Sequence, residues 1–368
     1  MTPGPAFVVF AYAFPHRKTQ DFLIELVLSA YPIACVIAAP WQELGHADRT
    51  RYFATALRNA SPLDTRSICA TLGVRYAELA HNDVEGIREL QNRHGFSLGI
   101  ISGARILKRA VIDLFDHGVI NFHPGKLPDT AGLDVFYHTI RTRAPAGVTA
   151  HFIDHRVDAG REIFFEETLL GPDDTPEIVQ HNTFQTQLTS LRRLLGMLRD
   201  GQLRAEPIDR PRKNEPMTAD QKCEMLRDFP VWRSAQFRAQ QGRLLLRACE
   251  AGSEPEIEAI LARIPDLIEH RSPEGWTPLI VAAFNQHRGC VRCLLERGAD
   301  PNAMGRNGTT VIMYAKTALM NRQEAEYALL QMLLDAGASL DRCDALGNNI
   351  VHYVAEAGDM RLLDWLKA

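Results

Sequence analysis

The sequence has no excess of positive charge, because 41 Lys and Arg residues stand against 45 Asp and Glu residues, a formal net charge of -4. A nucleic-acid binder usually carries a basic face, so we expect no nucleic-acid partner. No stretch reaches the roughly 18 to 20 apolar residues of a membrane-spanning helix. The opening residues lack the basic segment that precedes the apolar run of a secretory signal. We therefore expect a cytoplasmic protein that binds no membrane.

The sequence also lacks a cysteine pattern that would indicate disulfides or a metal centre. Seven cysteines are an odd count, scattered through apolar segments, which is typical of reduced thiols in a cytoplasm. Cys290 and Cys293 form a C-x-x-C, but no matching second pair exists and the two lie in a helical pattern. We therefore expect no metal.

The first ~200 residues alternate short apolar runs with helical patterns. Strands are predicted at 6–11, 32–39, 98–102, 119–122 and 148–153, and helices at 19–29, 83–94, 106–116 and 132–142. This alternation predicts an α/β fold with a doubly wound, mostly parallel sheet. Such sheets place their sites at the carboxyl ends of the strands.

The last ~125 residues repeat. Gly275 and Gly308 begin similar segments 33 residues apart, which is the ankyrin period. A third segment begins at Gly347, so we expect an insertion of six residues near 317–323. The predicted organisation is a catalytic domain at 1–205, a tail and connector at 206–241, and an all-α ankyrin domain at 242–368. That domain would hold three to four repeats, the last one incomplete.

The most informative residues for chemistry follow one predicted strand. Asn121 and His123 are two residues apart at its end and therefore share a face, and Pro124 ends the strand. An amide can donate to a developing oxyanion, and an imidazole can accept the proton of an attacking amine. Asp158 follows the next strand and could orient that imidazole. Taken singly, such residues are more often capping or satisfied polar groups than catalytic ones.

The wider motif resembles the signature of the N10-formyltetrahydrofolate-dependent formyltransferases. It comprises Asn121-x-His123-Pro124, Leu127-Pro128, Gly132 and Asp158-x-Gly160. With the ankyrin repeats behind it, the chain is most similar to the sugar N-formyltransferases of that family. The resemblance implies that Asn121 binds the formyl oxygen, that His123 accepts the amine proton, and that Asp158 holds His123.

The resemblance also implies that the donor is N10-formyltetrahydrofolate and that no metal takes part. Two loops would hold its pterin largely through main-chain groups. The residues concerned are Ser102, Gly103, Ala104, Arg105, Ile106, Leu107, Ile153 and Asp154. Ordinary turns at these positions remain the alternative.

The acceptor is less well defined by the sequence. His16, Arg17 and Lys18 precede a helix that we expect Thr19 to cap, and such a basic loop suits an anion, although a solvated turn is an equal alternative. Lys126, Phe136 and Tyr137 would border the acceptor pocket, unless the two aromatic residues only pack their helix on the sheet.

We therefore predict a transferase that formylates a nucleotide-linked amino (dideoxy) sugar for bacterial surface glycans, such as lipopolysaccharide O-antigen. The nucleotide, whether dTDP, UDP or GDP, is left open. Two alternatives remain: the chain could be a formyltetrahydrofolate hydrolase, or an ankyrin-type interaction protein whose formyltransferase-like domain is not catalytic. The ankyrin repeats could bind an unidentified partner or ligand, or form a homodimer contact.

Overall fold

The structure, a computed structural model, describes residues 6–41, 63–209, 213–320 and 327–368. The chain divides into two units, Met1–Gln236 and Phe237–Ala368. The first unit contains the sheet, and the second is helical. No helix among the described residues is long and apolar enough to cross a membrane.

The first unit is built on an eight-stranded sheet with the order β3-β2-β1-β4-β5-β6-β7-β8. Strands β1 to β5 are parallel to one another, whereas β6, β7 and β8 each pair with the preceding strand in antiparallel orientation. The chain proceeds outward from β1 in one direction and then resumes at β4 on the other side, so the topological switch lies between β1 and β4. The predicted mostly parallel, doubly wound sheet is confirmed. The strands are β1 Phe7–Tyr12, β2 Ile33–Ala39, β3 Tyr76–Glu78, β4 Leu98–Ile101, β5 Val119–His123, β6 Gly147–Phe152, β7 Arg161–Glu167 and β8 Glu206–Pro207.

Helices cover both faces of this sheet. They are α1 Arg17–Leu28, α2 Thr65–Leu72, α3 Val84–His94, α4 Arg109–Ile112, α5 Val135–Arg141, α6 Pro176–Arg199 and α7 Ala219–Ala251. Because successive side chains of a strand point to opposite faces, Phe7 and Val9 join the core formed with α1, α2 and α6. Val8 and Phe10 join the core formed with α3 and α4.

Two helices are shorter than the sequence pattern predicts, and local contacts explain both. The predicted helix 106–116 is reduced to α4, because Asn82 and His81 bind the backbone of the preceding loop: Asn82 Oδ1 accepts from Lys108 N at 2.7 Å, and His81 Nδ1 accepts from Arg105 N at 3.2 Å. The predicted helix 132–142 begins only at α5, because the φ of Gly132 is +105° and that of Asp134 is +56°.

Part of the segment predicted as tail and connector is a helix. Helix α7 begins at Ala219 and continues past Pro230. Its Phe229 and Trp232 are buried, and Trp232 Nε1 donates to the Ala144 carbonyl at 3.0 Å. The prolines and charges of 206–241 suggested irregular structure, but burial of these aromatic side chains stabilises a helix around an internal proline.

The second unit consists of short helices, as the ankyrin pattern predicts. Thr277 caps α9 by accepting from Ile280 N, with Pro278 in the first turn. The predicted insertion at 317–323 begins inside α11, and its last residues lie outside the described part. The helices are α8 Glu254–Arg263, α9 Pro278–Phe284, α10 Arg288–Glu296, α11 Val311–Met320, α12 Ala328–Asp335, α13 Ile350–Glu356 and α14 Met360–Lys367, with a 3-10 helix at Pro265–Glu269.

Gly160 closes the loop that carries Asp158, and we expect Gly160→Ala to destabilise the first unit. The φ of Gly160 is +110°, and a Cβ there would overlap the carbonyl oxygen of Phe152. Gly201→Ala is a matched control, because its φ is +64° but no atom lies within 4 Å of the added Cβ. We expect a loss of roughly 3 kcal/mol at Gly160 and about 1 kcal/mol at Gly201, measured by urea denaturation. Equal losses would contradict this assignment.

Candidate active site

The site is built at the carboxyl end of β5, where strand alternation separates polar from apolar side chains. Phe122 is buried against the ring of Phe22, with 5.4 Å between the ring centroids. Asn121 and His123 therefore share the opposite face of the strand. The sequence prediction that these two side chains point the same way agrees with this geometry.

His123 meets Asp158, which comes from the loop between β6 and β7. The Nδ1 atom of His123 lies 3.4 Å from Oδ1 of Asp158, and their side chains are 4% and 17% exposed. Its other ring nitrogen, Nε2, lies 3.0 Å from the carbonyl oxygen of Thr130. Both ring nitrogens of His123 thus lie near oxygen atoms that can accept a hydrogen bond, which holds the ring in place.

Asp158 is held as a carboxylate. Its φ is +48°, and its Oδ2 accepts from the backbone N–H of Gly132 at 2.8 Å. Burial by itself would raise the pKa of Asp158, but a hydrogen bond from His123 and the electrostatic interaction with that ring outweigh the effect of burial. The Gly132 N–H adds to them, and the pKa falls to about 2. Asp158 is therefore ionised at neutral pH and can orient His123.

His151 is a further member of this site that the sequence reasoning missed. It lies directly across from Asn121 in the β5–β6 pairing, and its Nε2 is 3.3 Å from Asn121 Nδ2. Burial, followed by the nearby charge of His123, lowers the pKa of His151 to about 4, so the ring is neutral. Its Nδ1–H donates to the Ala159 carbonyl at 3.1 Å, which leaves Nε2 to accept from the Asn121 amide. This fixes one N–H of Asn121 and leaves its second N–H for a substrate oxygen.

The predicted donor loop contains structural and accessible residues. Ser102 is fully buried, and its hydroxyl donates to the Phe10 carbonyl at 2.9 Å. Leu107 is 3% exposed and belongs to the core near α4, whereas Ile106 is 65% exposed. These two buried side chains shape the loop, and the side chain of Ile106 is accessible to a ligand.

The rest of the predicted donor set is held in several ways. Arg105 donates from its guanidinium to the Pro40 carbonyl at 3.1 Å, and the Ala104 carbonyl accepts from the Tyr12 hydroxyl at 2.8 Å. A Cβ on Gly103 would lie 2.8 Å from the His16 ring and 2.9 Å from the Tyr12 ring, so a side chain there would displace one of these rings. In the second loop, Ile153 N donates to the Val119 carbonyl at 2.9 Å, and Asp154 pairs with Arg156.

The basic loop before α1 does not bring its cations together. His16, rather than the expected Thr19, is the N-cap, and its Nδ1 accepts from Thr19 N at 3.3 Å. Burial, and then the charge of Lys18, lowers the pKa of His16 to about 4, so it is neutral. Arg17 pairs with Asp21 on the surface, whereas Lys18 Nζ turns inward to the Phe122 carbonyl at 3.2 Å. Burial lowers the pKa of Lys18 to about 7 against the attraction of Asp158. The sequence pattern does not predict this divergence.

Two of the three residues predicted to border an acceptor, Phe136 and Tyr137, line one cavity, and Lys126 is not part of that lining. Lys126 pairs with Glu162 at 3.4 Å and lies over the Phe165 ring. Phe136 and Tyr137 line an open cavity of about 360 Å³, and Pro124, the residue after His123, is also part of its lining. Most of the other lining residues come from α5, the start of β6, α6 and α7. Its lining consists of Pro124, Asp134, Val135, Phe136, Tyr137, Thr139, Ala146, Gly147, Val179, Gln180, Thr183, Phe184, Gln187 and Trp232.

Comparison with known families finds matches in two parts of the chain. Residues 97–193 match the formyl transferase family. Residues 245–325 and 316–366 match two ankyrin-repeat families. The chain therefore contains a formyl transferase domain followed by ankyrin repeats. The matched segment of the first domain includes Asn121, His123, His151 and Asp158.

Individual relatives are distant. The methionyl-tRNA formyltransferase of Alkaliphilus oremlandii is 25% identical over 197 residues, which are 52% of this chain and 61% of that protein. The probable E3 ubiquitin-protein ligase XBOS33 of Oryza sativa subsp. japonica is 31% identical over 34% of this chain and 24% of its own length. The crystal structure of phosphoribosylglycinamide formyltransferase from Anaplasma phagocytophilum has a TM-score of 0.43 and 17% identity, covering 56% of this chain and 97% of that one. The chain thus spans less than two thirds of the two curated relatives.

The low pKa of His151 predicts how the free energy of unfolding changes with pH. Because the folded state resists a proton that the unfolded chain accepts, the free energy of unfolding should fall as pH drops from about 6.5 to about 4. The contribution of His151 is at most roughly 3 kcal/mol. His151→Gln, which keeps an acceptor near the Nε2 position, should flatten that part of the pH dependence in urea denaturation. His16, whose pKa is lowered in the same way, still contributes in the variant. An unchanged slope would contradict the neutral, buried assignment of His151.

Proposed function

We propose that this protein transfers a formyl group from N10-formyltetrahydrofolate to the amino group of a nucleotide-linked amino sugar. The observation that carries the proposal is the convergence of Asn121, His123 and Asp158. The His123 ring lies 3.4 Å from the Asp158 carboxylate, and the Asn121 amide lies on the same face of β5. Acyl transfer needs a hydrogen-bond donor for the developing oxyanion and, beside it, an oriented group that accepts a proton.

These side chains can each perform one part of the reaction. The free amine of the acceptor attacks the formyl carbon, and an N–H of Asn121 donates to the carbonyl oxygen as it becomes negative. His123 takes the proton that the attacking nitrogen loses, and Asp158 stabilises the resulting imidazolium. When the tetrahedral carbon collapses, its bond to N10 breaks. The proton then passes from His123 to N10, so tetrahydrofolate leaves and the formamide remains.

The loops after β4 and β6 support a folate-derived donor. The loop after β6 begins beside Val119, at the start of β5, and reaches His123 through Asp158. The backbone of 103–106 lies on a loop fixed by His81 and Asn82 rather than by a helix. Several main-chain groups of this loop already bond Phe10, Tyr12, His81 and Asn82, so a planar pterin would bind the others. The reaction as proposed requires no metal, and no described group of three or more His, Cys, Asp or Glu residues could hold one.

The proposed acceptor follows from the net charge of the chain. A relative is a methionyl-tRNA formyltransferase, but it is 25% identical over 52% of this chain, and this chain carries a net charge of -4. A large polyanion such as tRNA is held mainly by basic residues. A small nucleotide-linked amine of the bacterial cytoplasm, destined for surface glycan, needs far fewer of them. The ankyrin repeats fit a role in binding another protein or in forming a homodimer.

A panel of dTDP-, UDP- and GDP-linked amino sugars tests this proposal. We expect one of them to gain the mass of a carbonyl group in the presence of N10-formyltetrahydrofolate. His123→Asn should lower kcat by at least about 10²-fold while leaving folate binding nearly unchanged, because the proton acceptor is lost. His117→Asn is the control, since His117 is exposed and only pairs with Ser97. Full activity of His123→Asn would refute its role.

The same experiment separates transfer from hydrolysis. A hydrolase would release formate at the same rate with and without an acceptor, since water would replace the amine at the same trio. A transferase should consume the donor at a rate that depends on the acceptor concentration. Acceptor-independent release of formate would therefore overturn the proposed transfer.

A further inference from the structure

The loop at 129–132 contacts both His123 and Asp158. The carbonyl oxygen of Thr130 lies 3.0 Å from Nε2 of His123, and the N–H of Gly132 donates to Oδ2 of Asp158 at 2.8 Å. These two main-chain groups belong to one short loop. The positions of the imidazole and the carboxylate therefore depend on how firmly this loop is held.

Asn214 binds this loop from a distant part of the chain. Its side-chain amide donates to the carbonyl oxygens of Asp129 at 2.9 Å and Ala131 at 3.0 Å, the two residues that flank Thr130. Its backbone N–H also donates to the Ala131 carbonyl, at 2.9 Å. Asn214 is 7% exposed, so water competes little for these bonds. The side chain and the backbone of one residue thus hold the loop on both sides of the group that contacts His123.

Arg141 fixes the direction of the Asn214 amide. A guanidinium nitrogen of Arg141 donates to Oδ1 of Asn214 at 3.2 Å. Because arginine can only donate, the amide oxygen must face Arg141, and the NH2 group must face the two loop carbonyls. Asn214 is therefore a donor toward the loop, a role that neither a carboxylate nor an apolar side chain can take.

The backbones of the two segments also approach closely at Gly132. Gly132 and Asn214 form an isolated parallel β-bridge. A Cβ on Gly132 would lie 2.8 Å from the carbonyl oxygen of Asn214, and the φ of Gly132 is +105°. The segment that carries Asn214 is therefore packed directly against the residue whose N–H bonds Asp158.

We propose that Asn214 is a positioning residue for the formyl transfer. It holds the 129–132 loop so that the loop keeps His123 and Asp158 in place, without itself contacting the reacting atoms. Asn214 lies outside residues 97–193, the segment that matches the formyl transferase family. The inference rests on the proposed function, because the orientation of His123 affects a rate only if that reaction takes place.

Asn214→Ala and Gln91→Ala in the full chain form a matched pair for testing this. The Gln91 amide also donates to two main-chain carbonyls, those of Phe96 at 3.0 Å and Leu114 at 2.7 Å, but these lie before the amino ends of β4 and β5. Asn214→Ala should lower kcat by about tenfold or more, because a displaced loop misplaces the reacting groups. The KM for the folate donor should stay within about twofold, and Gln91→Ala should keep both constants within about twofold.

Asn214→Asp tests whether the donated hydrogen bonds are responsible. This variant keeps the size of the side chain and an oxygen for Arg141, but it has no NH2 group for the loop carbonyls. We expect a loss of kcat similar to that of Asn214→Ala. Each kcat is divided by the folded fraction from urea denaturation, so a loss of stability alone does not lower it. If kcat of either Asn214 variant matched that of Gln91→Ala, the proposed role of Asn214 would be wrong.

Hydrogen–deuterium exchange read by mass spectrometry tests the same contact without any substrate. The N–H groups of Thr130, Ala131 and Gly132 are all hydrogen-bonded. They should exchange about tenfold faster in Asn214→Ala than in the unsubstituted chain, and at an unchanged rate in Gln91→Ala. Unchanged exchange in Asn214→Ala would overturn the inference and leave formyl transfer standing. Faster exchange, combined with failure of every acceptor in the panel, would refute the proposed function and not the hold of Asn214 on the loop.

Discussion

The contact between the imidazole of His123 and the carboxylate of Asp158 joins two stretches of chain that are 35 residues apart. It exists because Asp158 adopts a φ of +48° and accepts a hydrogen bond from the N–H of Gly132, while Gly160 lets the loop pass close to the Phe152 carbonyl. The pKa of Asp158 is lowered to about 2, so the carboxylate is charged whenever the protein is folded near neutral pH. The orientation of His123, and with it the proposed proton transfer, depends on this loop geometry.

A second set of hydrogen bonds, centred on His151 of the neighbouring strand β6, positions Asn121. The neutral His151 ring links the Ala159 carbonyl to the Asn121 amide. Ala159 follows Asp158 directly, so one short loop positions both the residue that orients His123 and the residue that fixes Asn121. Burial keeps His151 neutral, because an imidazolium there would be desolvated beside His123.

The cavity lined by Phe136 and Tyr137 is formed by packing rather than by a motif. Trp232 closes one wall of the cavity because α7 continues through Pro230 and buries Phe229 and Trp232 against the sheet unit. Helix α6 contributes Gln180, Thr183, Phe184 and Gln187 to the lining. These residues belong to segments whose local sequence predicts a connector or carries no distinctive pattern. Neither carries a short motif that would mark a binding site.

The sequence by itself determined the sheet fold, the helical repeats and the three residues of the motif, because these leave local signals. Alternating apolar runs predict βαβ units, a 33-residue spacing predicts ankyrin repeats, and Asn121 and His123 share a face simply because they are two apart on a strand. His16 and Lys18 are close in sequence, and this closeness alone suggested that they form one anion site.

Only the tertiary structure decided which partners the polar groups have. His16 caps α1 as a neutral ring, and Lys18 turns to the Phe122 carbonyl. His151 pairs with Asn121 because of the β5–β6 register. Register, burial and the direction of a side chain depend on contacts between residues distant in sequence. The same histidine can therefore be a cap, a core residue or a member of the site, and local pattern does not distinguish these outcomes.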